Sequence, residues 1–469
     1  MFSTNDLEVA KQMGIILNKK TGAVDYFSAN KFAEYISKHS VLRYHKQEFI
    51  QYKLGKWDVV DEMSIFKVLR GVLHTYNDDI WSTKLEKEYV EALKRTILIS
   101  GELNIYKRFI NMLNGMYDLE KHVLVAHSPE FYSTIQIPIA YSESAECSRF
   151  IQFLDECFLG DEESKLLLQE WAGYLLTAET KAQKALILYG DGANGKGVFI
   201  DILSYLIGQE NISSIPLNEL HKSFSRVCLH NKLANISNEN ECNGNSFNTQ
   251  YFKAITGEDV ITAEQKNKPV FEFKPTVKLV FSTNNLPHTK DTSHGFMRRL
   301  SILHFKNTVK EENRDRDLKE KLKTEAQGIF LWAVEGLKRL KENNFKFSEC
   351  TTSNQLMKQY EKELNPMVLF FEECIRKTKD DQREDKRIIY NSFRVWAEAN
   401  GMEGYAKIST QKFWKKFQEQ AKALEYNCTL GRSNTFRYCT SVKVVGEYRV
   451  TPDNPVLTAT YVVKPPLGG

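Results

Sequence analysis

From Lys184 to about Phe305 the chain alternates short, almost wholly apolar runs with amphipathic stretches. Runs such as Ala185–Tyr189 and Leu279–Phe281 have no polar alternate positions, as expected for strands buried on both faces of a parallel sheet. The pattern predicts an α/β layer. Upstream, residues 1 to about 60 are aromatic-rich, and the alternation around Phe49, Tyr52 and Trp57 predicts short strands. From Met63 to Leu98 apolar positions fall at helical spacing: Ile65, Phe66, Leu69, Val72, Leu73, and again from Tyr89. Residues 112–140 read as strands, with turns at Asn114-Gly115 and Ser128-Pro129. A helical stretch is predicted from about Cys147 to Leu176, with Asp161 as an N-cap ahead of Glu162 and Glu163. Residues 311–345 are helical and charged, and 346–365 turn to Ser, Thr, Asn and Lys, the composition of a linker. A helix-and-strand module runs to about 447. Pro452 to Gly469 reads as a loose tail.

Length and composition narrow the class without deciding function. The 469 residues predict two to four domains, and 42% hydrophobic with 26% charged residues is the mix of a globular protein. A net charge of +4 permits nucleic-acid binding but does not require it. The eight cysteines lack C-x-x-C spacing, which argues against a structural zinc site and fits a reducing cytoplasm, here that of a host cell, expected to be bacterial. The N-terminus is not a signal peptide, and no run of eighteen apolar residues exists, so no membrane partner is predicted.

The strongest local signal is Gly190-Asp191-Gly192-Ala193-Asn194-Gly195-Lys196-Gly197, between the apolar run and an amphipathic stretch carrying Val198, Phe199, Ile202 and Leu203. Strand, glycine loop and helix together turn backbone N–H groups around phosphate oxygens, and the helix N-terminus adds its dipole. Lys196 is positioned for the β- and γ-phosphates of ATP. Gly197 stands where a Ser or Thr hydroxyl normally holds Mg²⁺, so the metal must rely on water, the nucleotide and acidic residues elsewhere.

Three further signals follow in order. Leu233, Ala234 and Ile236 predict a strand ending near Glu239, the candidate to hold Mg²⁺ (if need be through water) or to polarise the attacking water; Glu241 is its rival. The Leu279–Phe281 strand leads to Asn284, suited to bind that water or the γ-phosphate. Arg298 and Arg299 precede another apolar strand, and a guanidinium suits developing phosphoryl charge, usually on a neighbouring subunit in ring ATPases. Between acid and asparagine, 260–263 and 270–273 predict a hairpin whose turn carries Lys266 and Lys268, a grip for DNA phosphates.

With these residues in hand, the chain resembles the superfamily 3 helicases, in the branch of poxvirus-type primase-helicases and their phage or plasmid homologues. The resemblance lies in LNGMYDLEKHVLVAHSP, LLLQEWAGYLLT, LYGDGANGKGVF, KLANISNENE, the block from ITGEDVITAEQ to FSTNNLP, and MRRLSILHF. It implies an AAA+ core, a homohexameric ring and 3′-to-5′ translocation on single-stranded DNA. It makes Lys196 the loop lysine, Glu239 the acid, Asn284 the polar sensor, Arg298 or Arg299 the trans finger, and Lys266 and Lys268 the DNA-tracking residues. Asn238 departs from relatives that carry a second acid there, leaving Glu239 against Glu241 open. No paired-acid D-x-D with a downstream His appears in the first 110 residues, so a helicase lacking the primase, or one from which it has been removed, is expected.

The expected architecture is therefore an α/β P-loop AAA+ core with an N-terminal α+β/helical collar region and a C-terminal winged-helix-like domain. Its parts are an N-terminal region at 1–110, a helical collar segment at 111–180, the ATPase core at 181–310, a helical segment and linker at 311–365, the winged-helix-like domain at 366–447 and a flexible tail at 448–469. In that domain Lys412, Lys415, Lys416, Arg432 and Arg437 are candidate phosphate contacts. The expected activity is ATP-dependent unwinding in phage or mobile-element replication, on single-stranded and forked DNA, with a separate primase or initiator as partner. The alternative is an origin-binding initiator whose ATPase controls assembly.

Overall fold

A computed structural model describes residues 3–18, 20–238, 247–289, 291–308 and 310–451. The chain divides into two compact units. One comprises Met1–Glu241, Asn248–Asn285 and Arg299–Thr351; the other comprises Cys242–Phe247, Leu286–Arg298 and Thr352–Gly469.

The first unit is organised by a five-stranded parallel sheet. Its order is Ile212–Ser213, Ala234–Ser237, Lys278–Thr283, Ala185–Tyr189, Leu300–His304. Helices cover it, among them Ser148–Phe158, Lys196–Ile207 and Ala326–Glu342, and their apolar faces share one core with the strands. This burial on both faces is why the runs Ala185–Leu188 and Leu279–Phe281 lack polar alternation. The mixed α/β layout is compatible with a nucleotide-binding core.

Upstream, Leu42–His45, Glu48–Lys53 and Lys56–Val60 form an antiparallel sheet, followed by helices Glu62–His74 and Thr83–Thr96. This region has its own core, including Phe32, Phe49, Leu69, Leu73, Tyr89 and Leu93. A second meander, Phe109–Met112, Gly115–Asp118 and Val123–Val125, carries the predicted turn at Asn114-Gly115. Arg108 fixes its start by donating to Asp118 at 2.7 Å, which holds that carboxyl well below its usual range. Strands do not continue to residue 140. The chain makes one turn of 3₁₀ helix at Pro129–Phe131, then touches the meander through Ile137 N–H to Asn111 O and Leu113 N–H to Ile139 O.

The helical stretch expected from Cys147 to Leu176 is two helices, Ser148–Phe158 and Glu162–Leu175, the second starting at the expected Asp161 cap. Leu159 and Gly160 both take positive φ, 50° and 83°, which ends the first helix. Asp161 then caps the second by accepting from Ser164 N–H at 3.0 Å. That second helix packs backbone to backbone on Ala326–Glu342. A Cβ at Gly173 would lie 2.2 Å from Ala333 O, and one at Gly336 would lie 2.3 Å from Gln169 O. Beside this crossing the buried Glu170 accepts from Arg339 Nε at 2.8 Å and Ser348 N–H at 2.8 Å.

In the second unit, helices Pro366–Cys374, Lys386–Ala399 and Thr410–Ala423 enclose Phe370, Phe393, Trp396, Phe413 and Phe417. Short antiparallel strands flank them: Arg383–Asp385, Arg437–Thr440 and Leu430–Arg432 in one sheet, Ile375–Lys377 and Val442–Val444 in another. The stretch expected as a linker is helical over Thr351–Glu363. Its buried positions are only Ser353 and Tyr360, too few to print an apolar period on the sequence. Cys428 and Cys439 form a disulfide, a pairing that needs strand register rather than spacing to be seen, since Cys439 lies opposite Leu430. The tail from Pro452 onward lies outside the described residues. Among the described residues no helix is long and apolar enough to cross a membrane.

Two outcomes are expected. Gly173→Ala forces a Cβ into a backbone carbonyl, so denaturant unfolding should show a loss of about 1–3 kcal/mol, against little change for Ala at the open Gly71 beyond its helix preference. Lys278 is fully buried, donates to Thr177 O and to Thr276 O at 3.2 Å, and burial pushes its ammonium down to about 7. Between that value and 10.5 the unfolded chain binds more protons, so the lysine's penalty is complete below pH 7 and fades as pH rises. The stability difference between Lys278→Met and the parent should therefore shrink from pH 7 to about 9.5; parallel curves would show that the burial cost is absent.

Candidate functional site

Parallel pairing sets the site. Tyr189 lies opposite Thr283 in the adjacent strand and opposite His304 on the other side, so all three strands end at one edge. Open α/β sheets bind ligands beyond such carboxyl ends. The glycine loop leaves Tyr189 at that edge and enters the helix Lys196–Ile207.

The loop is held from below. Asn194 is buried, and its Nδ2 donates to Phe305 O at 2.9 Å, tying the loop to the end of the neighbouring strand. Gly195 has φ 92°, and a Cβ there would lie 2.5 Å from Cys157 Sγ, with the Phe153 ring beside it. Burial pushes that thiol up to about 12, so it serves as packing under the loop. Ala193, at φ 61°, is a non-glycine residue in the left-handed region. No side chain caps the helix N-terminus at Gly195, and no acidic residue lies in the first turn. The helix thus brings no carboxylate of its own first turn to the leading amides, which favours an anion there.

Lys196 is buried at 5% exposure, and its Nζ donates to Gly190 O, to Asp191 O at 3.0 Å, to Asn194 Oδ1 at 3.2 Å and to Asn284 Oδ1 at 3.3 Å. Its acceptors are all neutral; it has no ion pair among the described residues. Burial holds its pKa below the usual lysine value, with Asp191 opposing. Asn284 follows the strand next to the loop strand, which is how residues 88 apart in sequence meet. His304 stands at the same edge against Tyr189, ring centroids 4.9 Å apart, its pKa lowered by burial and then by Lys306 and Lys196.

Other predicted residues fall elsewhere. Glu239 and Glu241 lie outside the described residues. The strand Ala234–Ser237 that leads to them ends two residues before Glu239 and is the second neighbour of the loop strand. Arg299 precedes Leu300, which pairs with Ala185, so it lies at the sheet edge opposite the loop. Arg298 is exposed and belongs to the second unit. Lys266 and Lys268 sit exposed between strands Ile261–Ala263 and Phe271–Phe273, a hairpin in register Ile261 to Phe273. Gly197 has no heavy atom within 4 Å of a built Cβ. Among the described residues no three His, Cys, Asp or Glu side chains converge to hold a metal.

Sequence reasoning missed the hairpin's anchor. Arg226 is buried, donates from Nε to Thr262 O at 2.8 Å and from Nη1 to His221 O at 2.6 Å, and lies 3.7 Å from the Tyr251 ring centroid. His230 packs edge-on against Phe271 and Phe273 at 5.4 and 5.0 Å. Both contacts are long-range, and neither residue type has a local pattern that would reveal them.

Two family models match. Residues 29–159 match one described as D5 N terminal like, and residues 188–299 match a family of unknown function, DUF5906. The second stretch runs from the loop strand to the arginine pair. Two viral proteins named as putative helicases are similar: 184R of Invertebrate iridescent virus 6, 22% identical over 390 residues and 74% of this chain, and L207/L206 of Acanthamoeba polyphaga mimivirus, 23% identical over 371 residues and 72% of this chain. The chain spans 39% and 38% of their lengths. Two solved structures of the NrS-1 C-terminal region align at TM-scores of 0.49 and 0.47, with 14% and 13% identity, each covering 86% of this chain and 96% of that one.

Gly195→Ala should cost roughly 1–3 kcal/mol in denaturant unfolding, because it combines left-handed backbone with the thiol below. Gly197→Ser meets open space and should leave stability within about 0.5 kcal/mol. If nucleotide and Mg²⁺ bind here, its hydroxyl should lower the Mg²⁺ concentration for half-maximal ATP hydrolysis; an unchanged Mg²⁺ dependence counts against that geometry.

Proposed function

We propose that this protein is an ATP-dependent DNA helicase of the D5 type, working as a ring of identical subunits on single-stranded and forked DNA. The observation that carries the reading is the meeting of Lys196 and Asn284 over the glycine loop at the carboxyl edge of a parallel sheet. The similarity to viral proteins named as helicases and the D5 N-terminal-like match support a replication role.

ATP phosphates bind the amides of the loop and of the helix start. Lys196 exchanges its neutral loop acceptors for β- and γ-phosphate oxygens, a stronger, charge-assisted set. Asn284 turns from the lysine to the attacking water, orienting it in line with the γ-phosphate. Glu239 would hold Mg²⁺ through water, and the metal would supply charge neutralisation at the phosphates.

Arg299 precedes the five-residue strand Leu300–His304, whose far end lies beside the loop, roughly 17 Å away at about 3.3 Å per residue. No side chain spans that distance along the sheet. An arginine there serves a neighbour's nucleotide rather than its own, which supports a trans finger from Arg298 or Arg299 and hence a ring. The hairpin lysines grip backbone phosphates, and Arg226 transmits motion from the segment at 217–229 to the hairpin base. The second unit serves as a winged-helix-like module.

Forked-duplex unwinding should fall at least about 100-fold in Lys196→Ala. Equal unwinding by parent and variant would overturn the mechanism. Mixing Lys196→Ala subunits with Arg298→Ala/Arg299→Ala subunits should restore part of the ATPase, since some interfaces then carry both an intact lysine and an intact finger. No recovery on mixing would mean that the arginines act within their own subunit.

A further inference from the structure

In the second unit the three-stranded sheet ends in a cluster of like charges. Arg432 and Arg437 are direct cross-strand partners at the end of the Leu430–Arg432/Arg437–Thr440 hairpin. Like charges directly opposite destabilise an antiparallel pair. Both arginines are exposed, and neither makes an ion pair among the described residues. Lys386, at the start of the helix Lys386–Ala399, joins them. Its ammonium lies 4.5 Å from the Trp414 ring centroid, and Arg437 adds to the burial that lowers its pKa. The nearby acids are committed elsewhere: Asp385 accepts from Arg387 at 2.7 Å and Glu384 from Arg449 at 2.6 Å. A fold that gathers three cations without acidic partners from three elements, at a cost to itself, is built to meet a polyanion.

Three further features select the polyanion. The hairpin tip at 433–435 is Ser-Asn-Thr, hydrogen-bonding rather than apolar, and exposed at Asn434 and Thr435. Such side chains contact phosphate oxygens but do not enter lipid. The rings at this end are already covered: Lys386 lies over Trp414, and Arg383 lies over Tyr438 at 4.4 Å. Trp414 is itself buried. The cation-bearing faces of Trp414 and Tyr438 are thus taken from an unstacked base, the contact on which single-strand sites rely, and Phe436 packs edge-on against Tyr438 at 6.2 Å. The cations come from both hairpin strands and a helix start, so they spread across a surface as the paired backbones of a duplex do.

We propose that Arg432, Arg437 and Lys386 form a binding surface for the phosphate backbone of double-stranded DNA, separate from the hairpin at Lys266 and Lys268. It adds to the helicase reading a hold on duplex that needs no ATP, so its failure and that of the ATPase mechanism are read by different assays.

The test uses the full chain without nucleotide, with fluorescence anisotropy on duplex and single-stranded DNA of several unrelated sequences across a salt series. For Arg432→Ala/Arg437→Ala the slope of log affinity against log salt on duplex should become shallower by about 2, near 0.9 for each phosphate no longer neutralised. Duplex affinity at low salt should fall roughly ten-fold while single-strand affinity changes little. The thermal midpoint should hold or rise, because a repulsive pair is removed. Arg432→Lys/Arg437→Lys should keep most of the slope. Unchanged duplex affinity and slope, a loss confined to single strands, or a lowered thermal midpoint in the alanine variant would each overturn the proposal.

Discussion

The pairing of Ala185–Tyr189 with Lys278–Thr283, in parallel and in register, is the constraint on which the rest depends. It makes both strands end at one edge, and so brings a lysine and an asparagine 88 residues apart within 3.3 Å. An antiparallel pairing of the same sequences would send one of them to the far edge. The apolar runs Ala185–Leu188 and Leu279–Phe281 follow from the same arrangement, since burial of the strands leaves no position for a solvated side chain.

The loop is shaped by what lies under it rather than by glycine content alone. Asn194 fastens it to Phe305 O, Gly195 turns it in a conformation closed to other residues, and Cys157 fills the space where a side chain would go. Lys196 is thereby held buried among neutral acceptors, with no ion pair among the described residues. Such a cation is stabilised most by an anion arriving from outside, which links the packing of the loop to its proposed chemistry.

The same logic separates the two candidate DNA surfaces. The tip lysines sit on a hairpin whose base is gripped by a buried arginine, the layout proposed to move as a lever. The C-terminal cations sit on a sheet end where Arg432 opposes Arg437, the layout proposed to hold a duplex. One suits movement of a strand and the other suits retention of the substrate.

Local signals carried much of this chain. Apolar runs without alternation, the Gly190–Gly197 loop between strand and helix, the Asp161 cap and the lysine-bearing turn all appear in short windows, because each arises from backbone preference or from burial of a continuous segment. Elements with few buried residues were not legible: Thr351–Glu363 hides only Ser353 and Tyr360, and its composition reads as linker. The Asp161 cap marked where the second helix starts, but the left-handed turn before it was not legible, since nothing in a leucine announces a positive φ. Tertiary structure alone decided the long-range terms. These are the meeting of Lys196 with Asn284, the far-edge position of Arg299, the Arg226 anchor, the Cys428–Cys439 pair and the opposition of Arg432 to Arg437. Sheet order, cross-strand register and helix placement set these, and none is a property of any window of sequence.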